Sequence, residues 1–305
     1  MFSPVSIGIR LGILGLILAA ALFVHFRGRV RLKFGRQLTD HSTFTAPYNA
    51  LVYLFSGVPN RAYYDVDTFP ELQQLTSQWQ MIRDEGLALL DEGKIAAATG
   101  HNDVGFHTFF KRGWKRFYLK WYDHPIPSAG RYCPKTVALL DSLPSVHGAM
   151  FTFLPAGGRI GAHRDPFAGS LRYHLGLRTP NDDKCWIAVD GNKASWRDGK
   201  AFVFDETYVH DALNETDVDR LILFCDVERP MKPVFKGVNH WMIKNVMGAT
   251  GAPNEEGEAV GGINRFFERV HGVLDSGKKL KAKNRKLYYA VKYAVMVAVL
   301  ALIIL

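Results

Sequence analysis

The sequence predicts a mainly β domain of the sandwich or barrel type, flanked by helices and held between two apolar chain ends. Between about residues 105 and 227, short runs rich in β-branched and aromatic residues alternate with turns of Gly, Pro, Asn and Asp. That spacing is typical of sandwiches and barrels. Apolar stretches border both ends of the chain, each next to a basic cluster, and predict terminal transmembrane helices.

The bulk composition excludes several classes of protein. With 305 residues, 48% hydrophobic and 22% charged, the chain is globular and long enough for one sizeable domain with accessory segments. Cys133, Cys185 and Cys225 form no C-x-x-C pair, which argues against a disulfide scaffold or a zinc knuckle and favours a reducing compartment. We expect all three to be small buried apolar residues.

The apolar run at 11–26 predicts an N-terminal membrane anchor. It is followed by a basic cluster, namely Arg27, Arg29, Arg31, Lys33 and Arg36. A cleaved signal peptide is the alternative, because the alanines at 19–21 resemble a cleavage site. The apolar run continues past them, however, and dense positive charge resists translocation, so the anchor is favoured.

The C-terminal run at 287–305 repeats this pattern, with a basic cluster at 278–286 before it and tyrosines placed like interfacial anchors. By the positive-inside rule the domain between the two clusters faces the cytoplasm and both termini lie outside. Much of the net charge of +9 lies in these clusters. That distribution favours anionic lipid headgroups over nucleic acid as the electrostatic partner.

The chain is therefore divided into five segments. Residues 1–26 are the first anchor, 27–67 a basic, loop-like connecting segment, and 68–247 the β domain with an N-terminal helix. Residues 248–286 combine a linker, a short helix at 263–274 and the second basic cluster, and 287–305 are the second anchor.

Within the β domain, the first helix is predicted from its ends and its apolar stripe. Thr68 can cap it, Pro70 suits its first turn, and Gly93 is a plausible stop. Its apolar stripe consists of Leu72, Leu75, Trp79, Ile82, Leu89 and Leu90. Strands are predicted at 149–154, 170–177, 185–189, 201–204 and 220–227.

An H-x-D pair, His163 and Asp165, carries the first sign of chemistry. On an extended backbone the two side chains project to the same side. His210 follows a strand-like run at 200–205. Two histidines and a carboxylate form the facial triad of non-haem iron oxygenases. Alone the pair is a weak signal, since single histidines are more often surface or core residues.

Arg220 strengthens this hypothesis because it opens an apolar strand. Burying a charge is costly unless it is paired, and a bidentate carboxylate is a suitable partner. The far carboxylate of a 2-oxo diacid whose near end chelates the metal would lie there. In the strand 170–177, alternation places Arg172 and His174 on one face and the apolar residues on the other. Such a face fits the interior of an anion-binding barrel, or alternatively a solvent-exposed edge.

Here the sequence resembles the aspartyl/asparaginyl β-hydroxylase family, and within it the bacterial lipid A 2-hydroxylase branch. The matching stretches are 149–158, 163–174, 204–214 and Arg220. The resemblance implies a double-stranded β-helix, a cupin-like jelly roll, that uses Fe(II), 2-oxoglutarate and O2. It also implies that His163 and His210 bind the iron. Asp165 is a less certain ligand, because some members of the family lack the acidic ligand. The residues implied around 2-oxoglutarate are Thr152, Arg172, His174 and Arg220.

The function implied is hydroxylation of an acyl chain of a membrane lipid, lipid A or a similar anionic glycolipid, at a bacterial inner membrane. Hydroxylation of Asp or Asn side chains in a protein, and a non-catalytic cupin-like binding module, are the alternatives. The two anchors favour the lipid. Two smaller features stay open: Asp205 and Glu206 support His210 or form a turn, and 114–122 is an amphipathic strand or a headgroup contact.

Overall fold

The computed structural model describes residues 4–37, 40–98 and 103–304. Its strands are β1 Tyr63–Tyr64, β2 Lys115–Trp121, β3 Val146–Leu154, β4 Arg159–His163, β5 Ser170–Arg178, β6 Cys185–Val189, β7 Asn192–Ser195, β8 Ala201–Phe204, β9 His210–Asn214 and β10 Arg220–Glu228. Its helices are α1 Pro4–Phe26, α2 Phe34–Gln37, α3 His41–Leu54, α4 Gln73–Ser77, α5 Trp79–Asp91, α6 Pro127–Tyr132, α7 Pro134–Asp141, α8 Pro233–Met242, α9 Gly262–Lys283 and α10 Arg285–Ile304.

The strands form two antiparallel sheets. The larger has the order β1-β8-β5-β10-β3-β2 and the smaller β4-β9-β6-β7. From β3 to β10 the chain passes back and forth between the two sheets, which is the topology of a jelly roll. The mainly β prediction is therefore confirmed, and the strand order is that of a double-stranded β-helix. The five predicted strands are β3, β5, β6, β8 and β10.

Alternate side chains of β5 point to opposite faces of the larger sheet. Leu171, Tyr173 and Leu175 face the main hydrophobic core, where they meet the helices α4 to α7. Arg172 and His174 face the other way, into the space between the two sheets. Both faces of the larger sheet are thus covered, and the alternative of a solvent-exposed edge at β5 is wrong.

The predicted helix from Thr68 to Gly93 is only partly correct. In its apolar stripe, Trp79 and Leu90 are half-buried and the other four residues are buried. The chain, however, forms two short 3-10 turns and α4, and then breaks at Gln78 before α5 begins. Gly93 does end α5, with φ of +69°, a left-handed conformation that glycine adopts without a Cβ clash.

The connecting segment 27–67 is not loop-like, because it contains the fourteen-residue helix α3. Asp40 caps this helix by accepting a hydrogen bond from the Ser42 amide at 3.0 Å. Pro47 lies inside it and disfavours a helix by roughly 3 kcal/mol. Burial of Ala46, Val52 and Tyr53 against α1 and α8 offsets that cost, and such tertiary packing is not visible in local sequence.

Within the described residues, one helix is long and apolar enough to cross a membrane. It is Gly8–Phe26, with a mean hydropathy of 2.2. Its 19 residues span about 28 Å as an α-helix, close to the thickness of a hydrocarbon core of about 30 Å. The C-terminal anchor stays a prediction. Ahead of it, the predicted short helix at 263–274 is the longer α9.

Candidate metal centre

The predicted triad comes together where β4, an edge strand of the smaller sheet, pairs with β9. His163 ends β4, His210 begins β9, and the two are cross-strand partners with ring centroids 4.1 Å apart. Asp165 follows β4, and its Oδ1 lies 3.5 Å from His163 Nε2. The ligand atoms of the three residues lie within 4.8 Å of one another. This set of donors fits a metal ion of the iron type.

Backbone contacts fix the orientation of both imidazole rings. His163 Nδ1 lies 2.8 Å from Gly161 O, and His210 Nδ1 lies 3.0 Å from Tyr208 O. A carbonyl only accepts, so each Nδ1 carries the proton and each Nε2 keeps its lone pair for a metal. Burial lowers the pKa of both rings, that of His210 to about 3. They are therefore neutral at pH 7, as metal ligation requires.

The carboxylate of Asp165 is held by Arg172. Burial alone would raise the pKa of Asp165, but Arg172 and the two triad histidines lower it to about 2. Arg172 Nη1 lies 3.0 Å from Oδ2, while Oδ1 is the oxygen that faces His163. The carboxylate is thus ionised and oriented toward the triad.

Arg172 is also paired with two further buried carboxyls. Its Nε lies 2.9 Å from Glu206 Oε2 and 2.8 Å from Asp226 Oδ1, and its guanidinium stacks on the Phe224 ring at 3.8 Å. Burial raises the pKa of Glu206 and of Asp226, because one cation cannot compensate three carboxylates. Arg172 lines the cavity as predicted, but its guanidinium is already paired with three carboxyl groups of the protein.

Arg220 is in the opposite situation. It is only 2% exposed, its guanidinium lies over the Trp196 ring at 4.4 Å, and its Nη2 donates to Thr152 Oγ1 at 3.4 Å. Burial lowers its pKa to about 10, and within the described chain the group that opposes this shift is the Cys185 thiol, not a carboxylate. Its Nε has no hydrogen-bond partner. A buried cation of this kind calls for an anion.

His174 offers a further donor beside Arg220. Its Nδ1 accepts a hydrogen bond from Trp196 Nε1 at 3.4 Å, so the proton is on Nε2, which is buried without a partner. Burial, followed by the charges of Arg172 and Arg220, holds the pKa of His174 well below its usual value. The ring is therefore neutral and can donate one hydrogen bond to an anion.

These groups line one cavity that opens to solvent; its empty space, with the open solvent at its mouth included, is about 460 Å³. All seven predicted site residues line it: Thr152, His163, Asp165, Arg172, His174, His210 and Arg220. The rest of its wall is apolar and includes six aromatic residues: Phe106, Phe109, Trp114, Trp196, Phe204 and Phe224. Phe109 meets the His163 ring edge-on, with the centroids 4.8 Å apart. Phe106, Phe109 and Trp114 precede β2. The sequence singled out Trp114 as part of the segment 114–122, but it gave no signal for the two phenylalanines.

Asp205 and Glu206 do not contact His210 directly. They lie in the turn between β8 and β9, where Asp205 binds Arg27 Nη2 at 2.6 Å and Arg229 Nη2 at 2.8 Å. Arg27 is buried between the Tyr53 and Tyr208 rings. Its assignment to a lipid-facing basic cluster is therefore wrong, because it belongs to the interior. The segment 114–122 is mainly the core strand β2.

Comparison with known proteins adds independent information. A family model described as aspartyl/asparaginyl β-hydroxylase matches residues 76–230. An ornithine lipid ester-linked acyl 2-hydroxylase of Rhizobium tropici is 34% identical over 195 residues, 63% of this chain and 69% of the relative. Human aspartyl/asparaginyl β-hydroxylase is 29% identical over 164 residues, 52% of this chain and only 21% of the relative. A crystal structure of a Pseudomonas putida prolyl-4-hydroxylase is 18% identical, covers 50% of this chain and 87% of that one, and has a TM-score of 0.37.

Proposed function

The chain belongs to the aspartyl/asparaginyl β-hydroxylase family, and on that premise we propose that it is an Fe(II)/2-oxoglutarate-dependent hydroxylase of a membrane-lipid acyl chain. The observation that carries the proposal is a metal-type triad and an uncompensated buried arginine in one cavity. A metal and a dianionic co-substrate would satisfy both.

The residues fit the two proposed ligands. His163, Asp165 and His210 would hold Fe(II), since two neutral imidazoles and one carboxylate leave coordination positions open. Arg220 would bind the far carboxylate of 2-oxoglutarate, with Thr152 and His174 as neighbouring hydrogen-bonding groups. When bound, the iron with 2-oxoglutarate and O2 supplies the oxidation that converts a C–H bond into C–OH and releases CO2 and succinate.

The protein's own part is to orient and to shield. The Gly161 and Tyr208 carbonyls fix the ligand tautomers, and Arg172 fixes Asp165. Phe106, Phe109 and Trp114 form an apolar approach to the triad. An acyl methylene fits such a wall better than the charged side chain of Asp does, because an unpaired buried charge is costly.

The relatives and the composition of α1 support a lipid as the substrate. The Rhizobium tropici relative is named for an acyl chain of an ornithine lipid, and α1 has the composition of a membrane span. We extend this to lipid A or a similar anionic glycolipid, hydroxylated at the 2-position on the cytoplasmic face of a bacterial inner membrane. The second candidate is hydroxylation of Asp or Asn in a protein, favoured by the match to the human relative.

A coupled assay separates the candidates. The full chain in detergent, supplied with Fe(II), 2-oxoglutarate and O2, is offered lipid A, an ornithine lipid, or peptides rich in Asp and Asn. Succinate release and a gain of one oxygen by mass spectrometry should occur with a lipid acceptor and be lost in His210→Ala. Turnover with peptides alone would replace the lipid proposal with the protein-hydroxylase one.

A further inference from the structure

The helix α8 presents an apolar face that no described part of the chain covers. Val234, Val238 and Trp241 lie on one side of it and are 75%, 46% and 57% exposed. On the other side, Phe235 and Asn239 are buried against the domain. Leaving a tryptophan and two valines together in water is unfavourable. This face is therefore expected to meet an apolar environment.

The charged residues on α8 and next to it are all basic. Lys232, Lys236 and Lys244 are exposed on α8 and next to its ends, and no acidic residue occurs in the sequence from 229 to 254. A helix that has an exposed apolar stripe with a tryptophan and a polar side with lysines is typical of a membrane interface. Lysine side chains there keep their charge in the headgroup layer while their methylenes cover apolar surface.

The neighbouring helix α3 has a matching face. Phe44, Leu51 and Leu54 recur at helical spacing and are exposed, Phe44 to 79%. Its opposite side is buried, with Ala46, Val52 and Tyr53 in the cluster that also contains Phe235 of α8. α3, from His41 to Leu54, carries no acidic residue. Each helix thus has one face on the domain and one apolar face left over.

Contacts join these two helices to each other and to α1. Tyr48 donates a hydrogen bond to Asn239 Oδ1 at 2.6 Å, and Lys232 Nζ donates to the Leu54 carbonyl at 3.4 Å. On the other side of α3, the Tyr53 ring lies 6.1 Å from that of Phe23 in α1. The helices α3 and α8 therefore pack together, and α3 lies against the helix that has the composition of a membrane span.

We propose that the exposed faces of α3 and α8 lie in the interface of an anionic phospholipid bilayer, beside the membrane-inserted α1. Three observations select a bilayer over another protein: the packing of α3 against α1, the exposed lysines of α8, and the absence of acidic residues from both helices. The domain would then contact the membrane in one fixed orientation, and α1 would not be its sole attachment.

This surface is directly connected to the metal centre. His41, in the first turn of α3, lies with its Nε2 2.6 Å from the carbonyl of Arg164, the residue between His163 and Asp165. Asn49 donates to the Pro166 carbonyl at 2.9 Å. Bilayer contact along α3 would thus hold the segment 164–166 near the lipid, which would shorten the path of an acyl chain to the cavity. That consequence rests on the proposed function, whereas the membrane contact itself does not.

Site-directed spin labelling tests the contact without any assay of activity. The native cysteines are buried, so single-cysteine variants of the full chain can be labelled selectively. Val238→Cys and Phe44→Cys probe the two helices. Val218→Cys is the matched control, because Val218 is 45% exposed against 46% for Val238 and lies beyond the opposite end of β10 from α8.

In vesicles of phosphatidylglycerol and phosphatidylethanolamine, labels at 238 and 44 should gain accessibility to O2 and lose it to a water-soluble nickel complex. The label at 218 should remain accessible to nickel. Equal nickel accessibility at 238 and 218 would overturn the proposal. Repeating the measurement in nanodiscs that hold one copy excludes self-association: protection at 238 that persists supports the bilayer contact, and protection that disappears assigns the face to a second copy and overturns it.

Discussion

Two arginines line the same cavity but act in different ways. Arg172 forms ion pairs with Asp165, Glu206 and Asp226, whereas Arg220 has no carboxylate partner among the described residues. Both were predicted to bind an anion. The sequence shows which face of a strand a side chain lies on, but it does not show which carboxyl groups from other strands contact that side chain. Arg220 therefore keeps the proposed role at 2-oxoglutarate, and Arg172 becomes a positioning residue for Asp165.

Replacing Arg220 by Lys should raise the KM for 2-oxoglutarate about tenfold or more, which corresponds to a loss of about 1.4 kcal/mol in binding. The reason is that an ammonium cannot reproduce the two-pronged contact of a guanidinium with a carboxylate. Initial rates of succinate formation at varied 2-oxoglutarate measure it. Thr152→Val should have a smaller effect in the same direction. An unchanged KM in Arg220→Lys would contradict this assignment.

The role of Arg172 can be tested on metal affinity alone. Arg172→Lys should weaken binding of a divalent metal by about 10- to 100-fold, the usual effect of removing a group that orients a ligand. Calorimetric titration with Mn²⁺ in place of Fe(II) measures it without turnover. Arg178→Lys, the same change further along β5 and outside the cavity, is the control. Equal affinities for both variants would mean that Asp165 does not need Arg172.

At the scale of elements, Arg27 locks the end of α1 to the turn that precedes His210. Its guanidinium lies between the rings of Tyr53 and Tyr208, at 3.9 and 3.7 Å, and pairs with Asp205. Arg27→Ala should lower the free energy of unfolding by about 3 kcal/mol, as expected when a buried ion pair loses one partner. Denaturant unfolding in detergent measures it. Arg29→Ala, at an exposed side chain next to Asp190, should cost less than about 1 kcal/mol.

The pH dependence of this effect has a definite sign. Burial would raise the pKa of Asp205, but Arg229 and Arg27 hold it far below its usual value. A lowered folded-state pKa stabilises the protein above the unfolded value of about 4 and ceases to do so as the pH falls toward the folded value. The stability gap between wild type and Arg27→Ala should therefore be largest near neutral pH and narrow below about pH 4. If the difference in stability between wild type and Arg27→Ala grew as the pH fell, the assignment of this stability to the ion pair of Arg27 with Asp205 would be wrong.

The elements that the sequence predicted correctly are those with long apolar runs. β5 and β10 carry buried leucines that define their faces, and the stripe of α5 is clear because it packs on the larger sheet. β4 and β9 were not predicted as strands, because they are short and contain the polar residues of the site. In such short strands, the polar residues of the site leave too few apolar positions to give a strand pattern. The helix α3 was hidden by Pro47, and its packing partners are distant in sequence.

At the scale of the whole molecule, the jelly roll explains why a divided sequence motif forms one site. β4 and β9 are far apart in the chain yet paired in the smaller sheet, and that pairing places His163 opposite His210. β5 and β10 pair in the larger sheet and bring Arg172 and Arg220 to the same cavity. The seven site residues could be identified one by one from sequence, but their distances and partners depend on this cross-sheet arrangement.

The basic residues that follow α1 predict how the molecule would be oriented in a membrane. Although Arg27 is buried, Arg29, Arg31 and Lys33 still follow the apolar part of α1. Positive residues next to a span are retained in the cytoplasm, so the domain should lie on that side. In spheroplasts that express the full chain, Val218→Cys should react with a membrane-impermeant maleimide only after permeabilisation. A cysteine placed at Ser3, before the span, should react without it. Labelling of the Val218→Cys variant in intact spheroplasts would reverse the topology, and would place the proposed reaction at the outer face of the membrane.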